Sequence, residues 1–334
     1  IVTDHSIDFS AKIQLQLAAL STIDHQSIAK EYLASKTASE LDHDWKLNEF
    51  FGSVYVIHLP DAHERRQHIQ SALHSIGVKN WQIFPATNGR TELKESIWRK
   101  MHLNWANIDI TTPDGLLRLE RQFQGEAGCF MSHFRLIESV RACYRGAVFD
   151  LWVALLSDNS PAIEVASQRA KKYSSVLVLE DDNGFGIVAA DRLSATLENT
   201  GLYFFNAMNE LPQDWQMLYL MSQINNPSKK VSSHLARLGG ALTLNAYAVN
   251  NTMYDAIYYR LRKIIDPTIT KLHPVDGQYK ALHSKHRCYG VVPSIAYQDS
   301  NTSFITSHIS RHLRQSQSYE QELDTKEQEA EFQN

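Results

Sequence analysis

Apolar residues recur three and four apart through KIQLQLAAL, IAKEYLASK and SELDHDWKLNEFF, which predicts helices across residues 1–50. Ser21, Thr22 and Ser39 are candidate caps. Gly and Pro are scarce in this stretch and no strand signal interrupts it. It reads as a helical N-terminal extension in front of a main domain over 51–310.

The pattern changes at Ser53. SVYVIHL is a short β-branched run between Gly52 and Pro60, as expected of a buried strand. Asp61 stands three residues before Glu64, a capping-box-like start to a helix. Ile69, Leu73 and Ile76 give that helix an apolar face, and Gly77 fits the position that ends it. WQIFPA is a second strand, followed by the turn residues Asn88 and Gly89. Strand, helix and strand at this spacing form a βαβ unit, which predicts a parallel sheet.

A second helix is predicted from about Glu126 to Tyr144, with Phe130, Phe134 and Ile137 on one face. Residues 146–174 read as an insertion holding one helix. VLVL, at 176–179, is a fully apolar strand that runs into Glu180, Asp181 and Asp182. WQMLYLM (215–221) and ALTLNAYAV (241–249) are further strands. Asn250 or Asn251 caps a helix carrying Met253, Ile257, Leu261 and Ile264, stopped by Asp266-Pro267. CYGVVP is the last strand of the pattern. Residues 311–334 are a polar tail, read as an exposed helix or a disordered end.

Composition narrows the class. The chain has 334 residues, 43% of them hydrophobic, enough for a core of ordinary size. Its 33 Lys+Arg against 37 Asp+Glu leave a net charge of −4. That balance argues against a nucleic-acid partner, whose affinity comes from neutralising many phosphates. No stretch approaches the roughly 20 apolar residues of a membrane span, so membrane association is at most peripheral. The first residues, IVTDHSIDFS, carry neither a basic nor an apolar leader region. Cys129, Cys143 and Cys288 show no CxxC spacing, so neither a disulfide framework nor a structural zinc site is expected. A cytoplasmic location is the simplest reading, extending to the inner membrane face, with a secreted effector as the alternative.

The candidate chemistry centres on VLVLEDD. Ligands of open α/β sheets bind just beyond the carboxyl ends of strands. Three acids there repel one another, and a divalent cation with oxygen ligands, Mn²⁺ or Mg²⁺, offsets the repulsion. Such an ion can hold a diphosphate. The plainer alternative is a strand ending in solvated acids. Arg65 and Arg66 fall in a first helical turn, where the dipole prefers acids, which suggests an anion beside them and beside His58. A solvated basic face is the alternative. In GEAGCFMSHFRL, Glu126 near a helix start, Ser132 and His133 are candidates, against capping for Glu126 and a satisfied core histidine for His133. Cys129, between apolar neighbours, reads as a small core residue rather than a nucleophile. Asp276 in HPVDGQY reads as an N-cap or as a general base. His308 and His312 read as ordinary surface histidines.

The order of these blocks resembles glycosyltransferase family 25, which includes bacterial lipooligosaccharide galactosyltransferases and collagen hydroxylysine galactosyltransferases. The blocks are SVYVIHLPDAHERRQHI, IFPATNGR, GEAGCFMSHFRLIESV, VLVLEDD, WQMLYLM, LNAYAVNNTMYDAI, PVDGQY and VVPSIAYQ, across about residues 53–303. The resemblance implies an α/β fold of GT-A type, a Rossmann-like αβα sandwich. It also implies a UDP-sugar donor (galactose or glucose), Mn²⁺, and a saccharide, glycolipid or protein acceptor. On it, Glu180 and Asp181 bind the nucleotide sugar and Asp182, with Asp181, the metal. His58, Arg65, Arg66, Glu126, Ser132 and His133 match donor-side blocks, and Asp276 takes the base role.

The sequence departs from the family at His58, commonly Asn, at Asn88, commonly Asp, and at Ser300-Asn301-Thr302-Ser303, where the family closes on acids. The expectation is a metal-dependent inverting hexosyltransferase. The alternatives are a transferase-like interaction protein with vestigial catalysis and a nucleotidyltransferase, for which no Gly-rich phosphate loop is present.

Overall fold

A computed structural model describes residues 4–102, 110–188, 195–226 and 229–299. In chain order its elements are α1 (Asp4–Ser21), α2 (His25–Ser35), α3 (Ala38–Asp42), α4 (Leu47–Phe50), β1 (Ser53–His58), α5 (His63–Ser75), β2 (Gln82–Pro85), α6 (Glu95–Trp98), α7 (Pro113–Leu156) and α8 (Ser160–Lys172). Then follow β3 (Ser175–Glu180), β4 (Asn183–Phe185), β5 (Ile187–Val188), β6 (Ala195–Thr196), α9 (Thr200–Glu210), β7 (Met217–Tyr219), β8 (Gln223–Asn226), β9 (Lys229–Lys230) and β10 (Leu235–Arg237). The chain ends with β11 (Gly240–Leu242), β12 (Ala246–Asn250), α10 (Tyr254–Leu261), α11 (Val275–His283), β13 (Cys288–Val291) and β14 (Ala296–Gln298).

Eight strands form one mixed sheet in the order β2-β1-β3-β12-β7-β13-β10-β9. The expected βαβ unit is present: β2, β1 and β3 are mutually parallel. The rest is not uniformly parallel. β12 runs antiparallel between β3 and β7, because the chain enters it at Ala246, opposite Leu179 near the carboxyl end of β3.

Alternate strand residues face two cores. Tyr55, Ile57, Val176, Val178, Tyr247 and Val249 pack with α7, α10 and α11 on one face. Val54, Val56, Leu177, Leu179, Ala246 and Ala248 pack with α5 and α9 on the other. Residues 4–50 are helical, and from Ala29 onward their buried side chains enter this second core: Trp45 stacks on Phe204 with ring centroids 5.1 Å apart. Helix α1 lies against α7 and α8 through Ile13, Leu17, Ala147, Leu151, Ala166 and Ala170.

Four local expectations are corrected. α7 is a single helix of 44 residues, capped by Thr112 with Pro113 in its first turn, so it neither starts at Glu126 nor stops at Tyr144. ALTLNAYAV is two strands, β11 and β12, broken at Thr243, whose φ is +72°. CYGVVP is followed by another strand, β14. α5 is preceded by Ala62 and carries no side-chain cap, so Asp61 does not form the expected box. Asn250 does cap, accepting from the Thr252 amide ahead of α10. The three cysteines are free. No described helix is long and apolar enough to cross a membrane. The polar tail, His308, His312 and Ser300-Asn301-Thr302-Ser303 lie outside the described residues.

Candidate functional site

β1 and β3 lie side by side, with Ile57 opposite Glu180. The chain leaves β1 for β2 on one side and returns to β3 on the other, so strand order reverses between them. Such a reversal opens a crevice at the carboxyl ends of strands. His58 ends β1 and Glu180 ends β3, so topology alone brings both to that point.

The two aspartates after β3 turn inward. Asp181 Oδ2 lies 2.7 Å from His58 Nδ1, and its Oδ1 lies 3.0 Å from an Arg65 guanidinium nitrogen. The other terminal nitrogen of Arg65 donates to Asp182 Oδ2 at 2.5 Å. Gln298 Nε2, from β14, donates to the same oxygen at 3.0 Å. Arg65 thus meets acids of its own chain, which answers the tension with the dipole of α5; Arg66 beside it is exposed. Asp182 is 1% exposed, and its Oδ1 is buried with no hydrogen-bond partner among the described residues. The same holds for His58 Nε2.

Helix α7 supplies the facing side. Gly128 lets it approach the loop after β2 closely: a Cβ there would sit 2.7 Å from the Thr87 carbonyl oxygen and 2.8 Å from the Gly89 nitrogen. Ser132 seals the same contact, accepting from the Thr87 amide at 2.8 Å and donating to the Gly128 carbonyl at 2.7 Å. Ser132 therefore positions the helix. One turn on, His133 is fully buried, with Nε2 3.2 Å from Glu180 Oε1 and Nδ1 2.8 Å from the Tyr247 hydroxyl. Cys129 Sγ lies 3.6 Å from the same Glu180 oxygen. Glu126 sits mid-helix and half-buried, not at a helix start. Asp276 lies in the first turn of α11, where the preceding Pro274 occupies the cap position, and it accepts from the Thr243 amide at 3.0 Å.

Electrostatics tie these acids together. Burial pushes the Glu126 carboxyl up to about 8, with the charges of Asp276 and Glu180 adding to the shift. Burial and the charge of Glu180 push Asp182 up to about 7 and Asp276 up to about 6. Asp181 is raised by burial against the opposing pull of Arg65 and His58. Burial acts upward on Glu180 too, but the hydrogen bond and charge of His133, with Arg65, outweigh it and hold it below the usual range. Burial and the neighbouring acids push the Cys129 thiol well up.

Of the four carboxylate oxygens of Asp181 and Asp182, three have partners in His58, Arg65 and Gln298, and Asp182 Oδ1 is the one left open. A divalent cation there would be held by Asp182, with Asp181 beside it. Of the predicted residues, His58, Arg65, Asp181 and Asp182 form one bonded network and Glu180 with His133 a second; the charges of Arg65 and Glu180 couple the two, and Glu126 and Asp276 join them through charge. Tyr247 and Gln298 were missed by sequence reasoning. Gln298 stands in the VVPSIAYQ block, which was its only signal.

Fold and site together define an α/β protein with a cluster of buried charged groups at the switch point of its sheet. Residues 51–142 match the model of glycosyltransferase family 25 (LPS biosynthesis protein), the family that the motif order resembles. The match runs from β1 into α7 and contains His58, Arg65, Arg66, Glu126, Ser132 and His133; it stops short of Glu180, Asp181, Asp182 and Asp276. It supports glycosyl transfer as the activity. No curated protein matches the chain significantly.

Proposed function

We propose that the chain is a metal-dependent, inverting glycosyltransferase of GT-A type. It would move a hexose, galactose or glucose, from a UDP-sugar to a hydroxyl of a saccharide, glycolipid or protein acceptor. One observation carries this reading: Glu126, Glu180, Asp181, Asp182 and Asp276 share one field at the strand-order reversal, and all of these carboxyls but Glu180 are raised by burial and by one another's charge. A cation and a substrate hydroxyl are the partners such a field favours.

Asp182 and Asp181 would hold Mn²⁺ or Mg²⁺, whose chemistry is to neutralise charge on a departing diphosphate. Arg65 and His58 hold these two carboxylates in place, and Arg66 stands exposed on the same turn for a donor phosphate. Asp276 receives the proton of the acceptor hydroxyl. The acceptor oxygen bonds to the anomeric carbon as the bond from that carbon to the phosphate oxygen breaks, and UDP departs with the electron pair. The transition state is oxocarbenium-like, as in glycosidases.

The test is incubation with UDP-galactose and UDP-glucose, with Mn²⁺ or with chelator, for the wild type and Asp182→Ala. Metal-dependent UDP release in the wild type, reduced roughly 10³-fold in the variant, supports the proposal. Metal-dependent UDP binding without turnover would favour the interaction protein, a reading supported by the ion pairs that already engage Asp181 and Asp182. Absence of both binding and turnover refutes the transferase.

A further inference from the structure

Cys129 and His133 are four residues apart on α7, so their side chains leave the same face of the helix one turn apart. Both point at the end of β3, where Glu180 meets them. Cys129 Sγ, His133 Nε2 and a Glu180 carboxylate oxygen all lie within 4.8 Å of one another. The thiol is 3.6 Å and the imidazole 3.2 Å from Glu180 Oε1. A tetrahedral Zn²⁺ with bonds of about 2.3 Å to sulfur and about 2.0 Å to nitrogen and oxygen has S···O edges of about 3.5 Å and N···O edges of about 3.3 Å. The two edges to Glu180 match, and the sulfur-to-nitrogen edge, which such an ion sets at about 3.5 Å, lies within 4.8 Å.

We infer that Cys129, His133 and Glu180 form a site for a thiophilic divalent cation of the Zn²⁺ class, separate from the Asp181–Asp182 carboxylates.

The surroundings support the assignment. Tyr247 bonds His133 Nδ1 at 2.8 Å, fixing the ring so that Nε2 faces the other two ligands, which is how ligating histidines are commonly oriented. His133 is fully buried, while the Glu180 side chain is 22% exposed and Cys129 half-buried, so an ion has a way in. Three protein ligands leave a fourth position for water or substrate, the arrangement of reactive rather than purely structural zinc sites.

The assignment does not depend on transferase activity and is tested without nucleotide. The full-length protein, freed of metal by chelator, is titrated with Co²⁺. The expected result is a thiolate-to-cobalt charge-transfer band that saturates at one equivalent and is displaced by Zn²⁺. Cys129→Ser abolishes that band, Cys143→Ser retains it, and Glu180→Gln weakens Co²⁺ binding about tenfold or more. In the unmodified protein, Zn²⁺ protects Cys129 from alkylation, read by peptide mass spectrometry, a measurement that needs no variant to fold. Absence of a thiolate band in the wild type, its survival in Cys129→Ser, or alkylation of Cys129 unchanged by Zn²⁺ each overturns the assignment. UDP binding that persists in Cys129→Ser leaves the Asp181–Asp182 reading standing whichever way this result falls.

Discussion

Arg65 reaches Asp182 across 2.5 Å and thereby ties the first turn of α5 to the loop beyond β3. The pair is nearly dry, with Arg65 13% and Asp182 2% exposed in their side chains. Removing one member of a buried pair leaves the other charge uncompensated. Arg65→Ala should therefore cost about 3–5 kcal/mol of stability, measured by urea unfolding. Asp182→Asn in the same background should restore part of it above about pH 7, where Asp182 is ionised and its charge would be orphaned. An Arg65→Ala protein as stable as the wild type would refute the pairing.

Stability should also report the crowded acids. Glu126, Asp182 and Asp276, pushed up to about 8, 7 and 6, keep protons in the folded protein that the unfolded chain has already released. Where the folded state binds more protons, stability falls as pH rises. The metal-free protein should lose a few kcal/mol between roughly pH 4 and pH 8 from these groups. Glu126→Gln should flatten the upper part of the slope, and saturating Mn²⁺ should flatten it further. Thermal melts across pH, with and without the ion, are the measurement.

How far these groups could be foreseen differs from residue to residue. β1, α5, β2 and β3 were readable because their signals are local: a β-branched run, an apolar stripe and a closing glycine. Arg65 and the acids after β3 were readable as a charge anomaly at a strand end. Glu126 was misplaced because Gly125 and Gly128 look like a helix boundary. Gly128 instead sits inside α7, where the chain after β2 leaves no room for a side chain. The break at Thr243 was invisible, since a threonine at φ +72° carries no local signature. Tyr247 and Gln298 reach the site from β12 and β14, and pairing over such separations is not written in any window of the sequence.

That glycine yields a direct test. Gly128→Ala should force α7 away from Thr87 and Gly89, at a cost of about 1–3 kcal/mol from overpacking against backbone. Gly146, with nothing within 4 Å of its would-be Cβ, is the internal control. Gly146→Ala, in an open helical position, should be neutral or stabilising by up to about 1 kcal/mol. Equal effects of the two substitutions in chemical denaturation would contradict the close approach.

A buried histidine sets the opposite slope on the acid side. His283 accepts the Ala241 amide at Nδ1, and its Nε2 lies 2.8 Å from the Tyr219 hydroxyl. It is fully buried, and burial lowers its pKa to about 4. The unfolded chain takes up this proton first as pH falls through about 6.5, so stability drops from there towards pH 4, by about 3 kcal/mol for this group. His283→Gln should be less stable at neutral pH yet lose less on acidification, seen as converging melting temperatures near pH 4.

Catalysis offers the sharpest check on Asp276. Held by the Thr243 amide and pushed up to about 6, it is ionised at neutral pH yet basic enough to take a hydroxyl proton. Sugar transfer should therefore fall as pH drops below about 6, as the base becomes protonated. Asp276→Asn should lower kcat roughly 10²–10⁴-fold while leaving the KM for the donor largely unchanged, because a base acts on the acceptor. Asp276→Glu, which keeps the charge but lengthens the arm, should recover part of the rate. If Asp276→Asn raises only the donor KM, the residue binds the nucleotide sugar, and Glu126 becomes the group to examine as base.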